Sequence, residues 1–111
     1  MKSDRPFLLH ILDAIAQIEE YTVEGEPVLH RDRRTQDAVF RNLEVIGEAV
    51  KRLSDARKSR HPEVPWSEFA GMRDVLIHQY FRVSLHLVWV AIRDRLPKLK
   101  LAVSAELAEH R

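Results

Sequence analysis

The chain has 111 residues, 45% of them hydrophobic and 32% charged, which suits one compact globular domain with a real core and excludes two. Only three glycines leave little material for the turns of an all-β fold, and the absence of cysteine excludes disulfides and thiolate metal sites. Eighteen Lys/Arg against seventeen Asp/Glu give a net charge of +1, which neither demands nor forbids a nucleic-acid partner. From Phe7 to Ile18, the residues Phe7, Leu8, Ile11, Leu12, Ile15 and Ile18 recur at the steps of an amphipathic helix, with Asp4 and Pro6 suited to its first turn. Thr22 to Pro27 breaks that pattern, and a loop or short helix carries the chain to about Arg34.

A longer helix is predicted from near Thr35 to about Arg57. Val39, Leu43, Ile46, Val50 and Leu53 form its stripe, with Phe40 off one side and Val45 and Ala49 off the other. That surface is too wide for one neighbour, so the helix is either central in a bundle or also meets a second copy of the chain. Gly47 borders the stripe. A mid-helix glycine costs about 1 kcal/mol relative to alanine, and close approach of another backbone is its most economical justification.

His61-Pro62-Glu63-Val64-Pro65 interrupts the pattern, and the next helix is placed from Trp66 to about Gln79. After a break near Phe81-Arg82-Val83, Ser84 is a good N-cap for a helix through Leu96 that is apolar on opposite sides and so is expected to be buried on more than one side. Pro97 starts or kinks a last helical stretch, and Ala105 to Arg111 is expected to fray. No apolar run approaches the roughly 20 residues of a membrane span, and Met1 to Pro6 lacks the apolar core of a signal peptide, which makes a cytoplasmic location the default expectation.

The histidines at 10, 30, 61, 78, 86 and 110 form no HxxxH or HExxH pair, no glycine loop cradles phosphate, and no serine sits in a GxSxG elbow. No metal site is expected. Two basic clusters, His30 to Arg34 and Lys51-Arg52 with Arg57 to His61, are either solvated helix ends or tracks for a phosphate backbone. Trp66 and Trp89 read first as core aromatics and only second as base-stacking platforms.

What stands out is the polar run inside an apolar helix, Arg73-Asp74-Val75-Leu76-Ile77-His78-Gln79-Tyr80. Arginine, histidine and tyrosine suit metal-free phosphodiester chemistry. A histidine side chain can take the proton of a ribose 2′-hydroxyl or return one to the leaving 5′-oxygen, and an arginine fork can stabilise a pentacoordinate phosphorus. These roles need no cofactor. On an ideal helix His78 lies about 140° round from Arg73, whereas Tyr80 returns to within about 20° of it. Either the helix distorts near His78, or Arg73 reaches around, or the two groups meet across a dimer axis. The plainer alternative pairs Arg73 with Glu44 or Glu48 and leaves His78 to cap a helix end; Asp37 with Arg41 and Glu48 with Arg52 are ordinary i,i+4 surface pairs.

Asp37 to Ala49 followed by Pro65 to Phe81 resembles the HepT-like family of the HEPN superfamily, and the likeness extends from about Phe7 through Leu99. The superfamily's RNase motif is Arg, often a polar residue, then His after four to six positions, ending in the HepT-like version as His-x-Tyr. Arg73, Asp74, His78 and Tyr80 match it. The resemblance implies an all-α, HEPN-type antiparallel bundle of four to five helices, one domain over residues 1–111, dimerising so that two motifs face a shared cleft. It implies metal-independent cleavage of RNA with Arg73 and His78 catalytic and Asp74 supporting, in a type VII-like toxin-antitoxin pair. The implied partner is an MntA-type nucleotidyltransferase antitoxin that attaches AMP to Tyr80, placing new phosphate beside Arg73 and His78. Competing readings are a non-catalytic nucleotide- or RNA-binding helical dimer and a purely structural interaction module.

Overall fold

A computed structural model describes residues 3–79 and 83–109. The architecture is all-α. Helix α1 (Arg5–Tyr21) buries Leu8, Ile11, Ala14, Ile15 and Ile18, and ends where the Thr22 hydroxyl donates to the Ile18 carbonyl at 2.7 Å. Gly25, at φ 86°, turns the chain into the short α2 (Glu26–Arg31), a conformation that side chains with a Cβ rarely adopt. Asp32 then caps α3 (Arg33–Arg52), its carboxylate accepting from the Arg34 N–H at 3.0 Å and the Thr35 hydroxyl at 2.8 Å.

The wide apolar surface of α3 is explained by its place in the bundle: it packs against α1 on one flank and α5 (Trp66–His78) on the other, with α2 as a third neighbour. Val39, Leu43, Ile46 and Val50 form the centre of the core, and Phe40 and Ala49 are buried with them. The helix ends at Arg52, short of the expected Arg57. Leu53 turns extended to bury its side chain, and the Ser54 hydroxyl accepts from the Arg57 N–H at 3.3 Å to start the short α4 (Asp55–Ser59). Apolar Leu53 fits a continuing stripe, so periodicity alone does not reveal the break.

Trp66 serves the core as expected: half-buried at the start of α5, its indole N–H donates to the Lys58 and His61 carbonyls, each at 3.0 Å. Trp89 packs against the same core. The Ser84 hydroxyl caps α6 (Leu85–Val90) by accepting from the Leu87 N–H at 3.3 Å, but Leu87 itself is 64% exposed, so the side of this helix read as buried is open in the monomer. A π turn, Ala91–Arg95, then joins α6 to α7 (Leu96–Glu109), with the Leu96 N–H reaching back to the Ala91 carbonyl. Pro97 lacks an N–H and its ring crowds the carbonyl four residues back, and a widened turn before it lets the helical path continue.

The C-terminal stretch does not fray at Ala105 as expected; it is helical through Glu109. The buried Glu106 carboxylate explains why. Its Oε1 accepts from Arg57 at 2.6 Å and Arg60 at 3.3 Å, and its Oε2 bonds His61 Nε2 at 2.9 Å. Arg57 also donates through Nε to Asp4 Oδ2 at 3.0 Å, and the same Asp4 oxygen accepts from the Ser54 N–H at 3.1 Å. This clasp joins both ends of the described chain to α4. Burial alone pushes the Glu106 and Asp4 carboxyls up, but hydrogen bonds outweigh it: His61, with the Arg60 and Arg57 charges, holds Glu106 below its ordinary value, and the Ser54 N–H and Arg57 hold Asp4 below its own.

Because both folded carboxyls titrate below their unfolded values, the clasp's contribution is full above the ordinary carboxyl range and is lost as pH falls toward the folded values. Glu106→Gln removes the buried charge that Arg57, Arg60 and His61 share, while Arg57 keeps its Asp4 partner, and is expected to cost about 3 kcal/mol at neutral pH. Urea melts of both proteins at pH 7 and at about pH 3.5 should show the gap between them narrowing in acid.

Candidate active site

The site begins with a glycine. A Cβ built on Gly47 would overlap the Cβ of Arg73 and come within 2.8 Å of the Phe69 carbonyl oxygen, so α3 and α5 cross here at backbone range. The close approach read from Gly47 is thus made by α5, and it carries the first residue of the motif to the crossing. Arg73 then runs along α3, with Nε 3.4 Å from Glu48 Oε2 and Nη1 donating to Asp74 Oδ1 at 3.1 Å.

Two further cations complete the network. Lys51 Nζ donates to the same Asp74 Oδ1 at 2.8 Å, and Arg52 pairs with Glu48 Oε1 at 3.3 Å. The Lys51 hydrogen bond, and after it the Arg73 bond, holds the Asp74 carboxyl below its ordinary value. Arg73 therefore sits between two carboxylates, with its side chain 28% exposed. The pairing with Glu48 is one of the two plain alternatives that the sequence offered, and it coexists with access to solvent.

Arg73 also edges an open groove of about 460 Å³ between α1, α3 and α5, lined among others by Phe7, His10, Arg41, Glu44 and Glu48. That volume falls in the range of small-ligand sites. His78 is elsewhere. It is the last residue of α5, it is exposed, and among the described residues no hydrogen bond or ion pair joins it to Arg73. The helix is α-helical through His78, so distortion does not bring the pair together, and the Arg73 side chain is turned to Glu48 and Asp74. Tyr80 lies outside the described residues.

The basic clusters divide. Arg57, Arg60 and His61 are engaged by Glu106, whereas Lys51 and Arg52 stand at the motif. The specific role of Lys51 was missed by sequence reasoning, although a signal existed: it lies one turn beyond Gly47 and so faces the same neighbour. Among the described residues no group of three or more His, Asp or Glu side chains is arranged to hold a metal ion. No described helix is long and apolar enough to cross a membrane.

The family model described as "Ribonuclease HepT-like" matches residues 11–106. A Thermococcus cleftensis protein named "Probable ribonuclease HepT" is 46% identical over 101 residues, covering 89% of this chain and 91% of that one. An inferred RNase of Caldanaerobacter subterraneus subsp. tengcongensis is 40% identical over 118 aligned residues, covering 100% of both chains. A Methanocaldococcus jannaschii protein, named as a gamma-glutamylcyclotransferase and inferred RNase, is 44% identical over 100 residues; these are 89% of this chain but 45% of that protein, so the chain spans under half of that relative. No solved structure matches the chain at comparable stringency.

Gly47→Ala gains helix propensity, worth at most about 1 kcal/mol, but drives a methyl into the backbone of α5. Overpacking against atoms that cannot rotate away outweighs that gain, with a typical cost of about 1 to 3 kcal/mol. The expected result is a net loss of about 1 to 2 kcal/mol in a urea melt, together with displacement of the Arg73 Nε signal in an arginine-resolved NMR spectrum.

Proposed function

The chain belongs to the HepT-like ribonuclease family, and on that premise we propose that it is a metal-independent endoribonuclease acting as the toxin of a type VII-like toxin-antitoxin pair. The observation that carries this reading is Arg73, held at backbone range by Gly47 at the edge of an open groove, within a chain of HepT-like sequence. In the proposed reaction His78 accepts the proton of a ribose 2′-hydroxyl. The 2′-oxygen attacks the adjacent phosphorus, the bond to the 5′-oxygen breaks, and that oxygen takes a proton back. The products are a 2′,3′-cyclic phosphate and a free 5′-hydroxyl. Arg73 stabilises the charge on the five-coordinate phosphorus, and Asp74 steadies the Arg73 fork.

His78 and Arg73 point to different sides of α5, and this favours an active dimer in which one copy supplies Arg73 and the other His78. An apolar groove beside the motif, bordered by Met72, Val75, Val83 and Leu87, gives a second copy something to bury, since Val75 is 42% exposed and Leu87 64%. Tyr80 is the proposed target of a cognate MntA-type nucleotidyltransferase antitoxin. Its phenolic oxygen attacks the α-phosphorus of ATP and pyrophosphate leaves, setting AMP next to Arg73 and His78. The added phosphate then occupies the anion site and silences the enzyme. An RNA substrate and a cysteine-free chain suit work in the cytosol.

Purified protein is expected to cut a labelled RNA mixture in EDTA, leaving cyclic-phosphate ends. Arg73→Ala and His78→Ala should each lose about 10²-fold or more, at unchanged folding and oligomeric state. Mixing the two inactive variants under conditions of subunit exchange should restore part of the rate, because one composite site in each mixed dimer keeps both groups. Intact RNA with the wild type, carrying an unmodified Tyr80 by mass spectrometry, would refute the enzyme reading. Cleavage that is not restored on mixing would place Arg73 and His78 of one copy in the same site.

A further inference from the structure

Lys51 stands 23 residues before Asp74 and is no part of the Arg-x4-His-x-Tyr pattern, yet its ammonium group and the Arg73 guanidinium donate to one and the same oxygen, Asp74 Oδ1, at 2.8 and 3.1 Å. Two cations converging on a single oxygen form an anion site, and here the occupant is the protein's own carboxylate. We propose that this oxygen holds the place of an RNA phosphate oxygen, and that Lys51 is a phosphate-binding residue of the site, paired with Arg73 across it. The proposal rests on the ribonuclease reading for the identity of the anion.

Three features support the exchange of carboxylate for phosphate. The Lys51–Asp74 pair is open, with side chains 38% and 50% exposed, so water and salt screen it and little holds it closed. A phosphodiester matches the same donors, an arginine fork beside a lysine point charge, and releases counterions on binding. Lys51 also borders a second groove of about 560 Å³, between α3, α4 and α5, lined among others by Asp55, Lys58, Trp66 and Ser67. A single strand laid from one groove to the other crosses Arg73 and Lys51 in succession. Asp74 is then a counter-ion whose Oδ1 holds Lys51 and Arg73 around one oxygen position, at a spacing fit for phosphate, and yields that position when phosphate arrives.

A simple surface staple between α3 and α5 would give the same two distances, and the test separates these roles. A 2′-O-methyl RNA oligonucleotide, which cannot be cleaved, is titrated by fluorescence anisotropy between about 50 and 200 mM salt. With Lys51→Ala the slope of log affinity against log salt should become shallower by about 0.7, one phosphate contact to a single strand. Lys51→Arg should restore the slope, and Asp74→Asn should tighten binding several-fold at low salt, because a competing charge is gone while an acceptor remains. An unchanged slope for Lys51→Ala with a lowered melting temperature overturns the proposal and leaves Lys51 a staple. Absence of salt-dependent binding by the wild type also overturns it. Binding that loses its Lys51 contribution in a protein that cleaves no unmodified RNA upholds the anion site while the ribonuclease reading fails; cleavage with an indifferent Lys51 upholds the ribonuclease reading and overturns the anion site.

Discussion

Where Gly47 lets the backbone of α5 lie against α3, the direction of Arg73 is settled, and most of the polar architecture follows from that direction. A larger residue at the crossing would push the helices apart by roughly a side chain and leave Glu48 and Lys51 too far from Arg73 and Asp74 to bond them. With the crossing closed, α3 offers Glu48 to Arg73 and Lys51 to Asp74 of α5, while Arg52 pairs with Glu48 on α3 itself. The same closeness explains why α3 is apolar over so wide an arc: it must meet α1 and α5 at once.

Two charge networks divide the labour. The centre of the Glu106 clasp, Arg57, His61, Asp4 and Glu106, is largely buried, and its breakage leaves desolvated charge behind. It serves stability. The Arg73 network is open to solvent, with Lys51, Asp74, Glu48 and Arg52 all more than a third exposed, and water replaces any bond that it loses. A network that can be opened at small cost is one that a ligand can enter. The overall charge of +1 then matters less than the local arrangement, in which carboxylates offset the cations beside the grooves.

Most of the helices were legible because their apolar residues recur at helical steps and their ends carry recognisable residues: Pro6 in the first turn of α1, Ser84 at the cap of α6, Pro65 before α5. What escaped reading depends on partners distant in sequence. The break at Leu53 and Ser54 is secured by Asp4, 50 residues away, and the ordered end of α7 by Glu106 reaching Arg57, 49 residues away. No local pattern encodes such pairs. At the site, Arg73, Asp74 and His78 were legible as a motif, and the Glu48 partner as one of two candidates, because residue chemistry and spacing suffice for that. The sharing of Asp74 between Arg73 and Lys51 required the α3–α5 crossing, and only Gly47 hinted at it.

The angular separation of Arg73 and His78 is the constraint that shapes any use of the motif. A residue pair five apart on a regular helix opens by about 140°, so an anion resting on the α3 side of α5 meets Arg73 and not the His78 of the same copy. A helix that wanted both groups in one monomeric site would place them three or four apart. In the proposed dimer a two-fold axis brings the second group with no additional sequence, since each copy lends what the other lacks. Exposed Val75 and Leu87 beside the motif supply, in that proposed dimer, the apolar surface that a second copy buries.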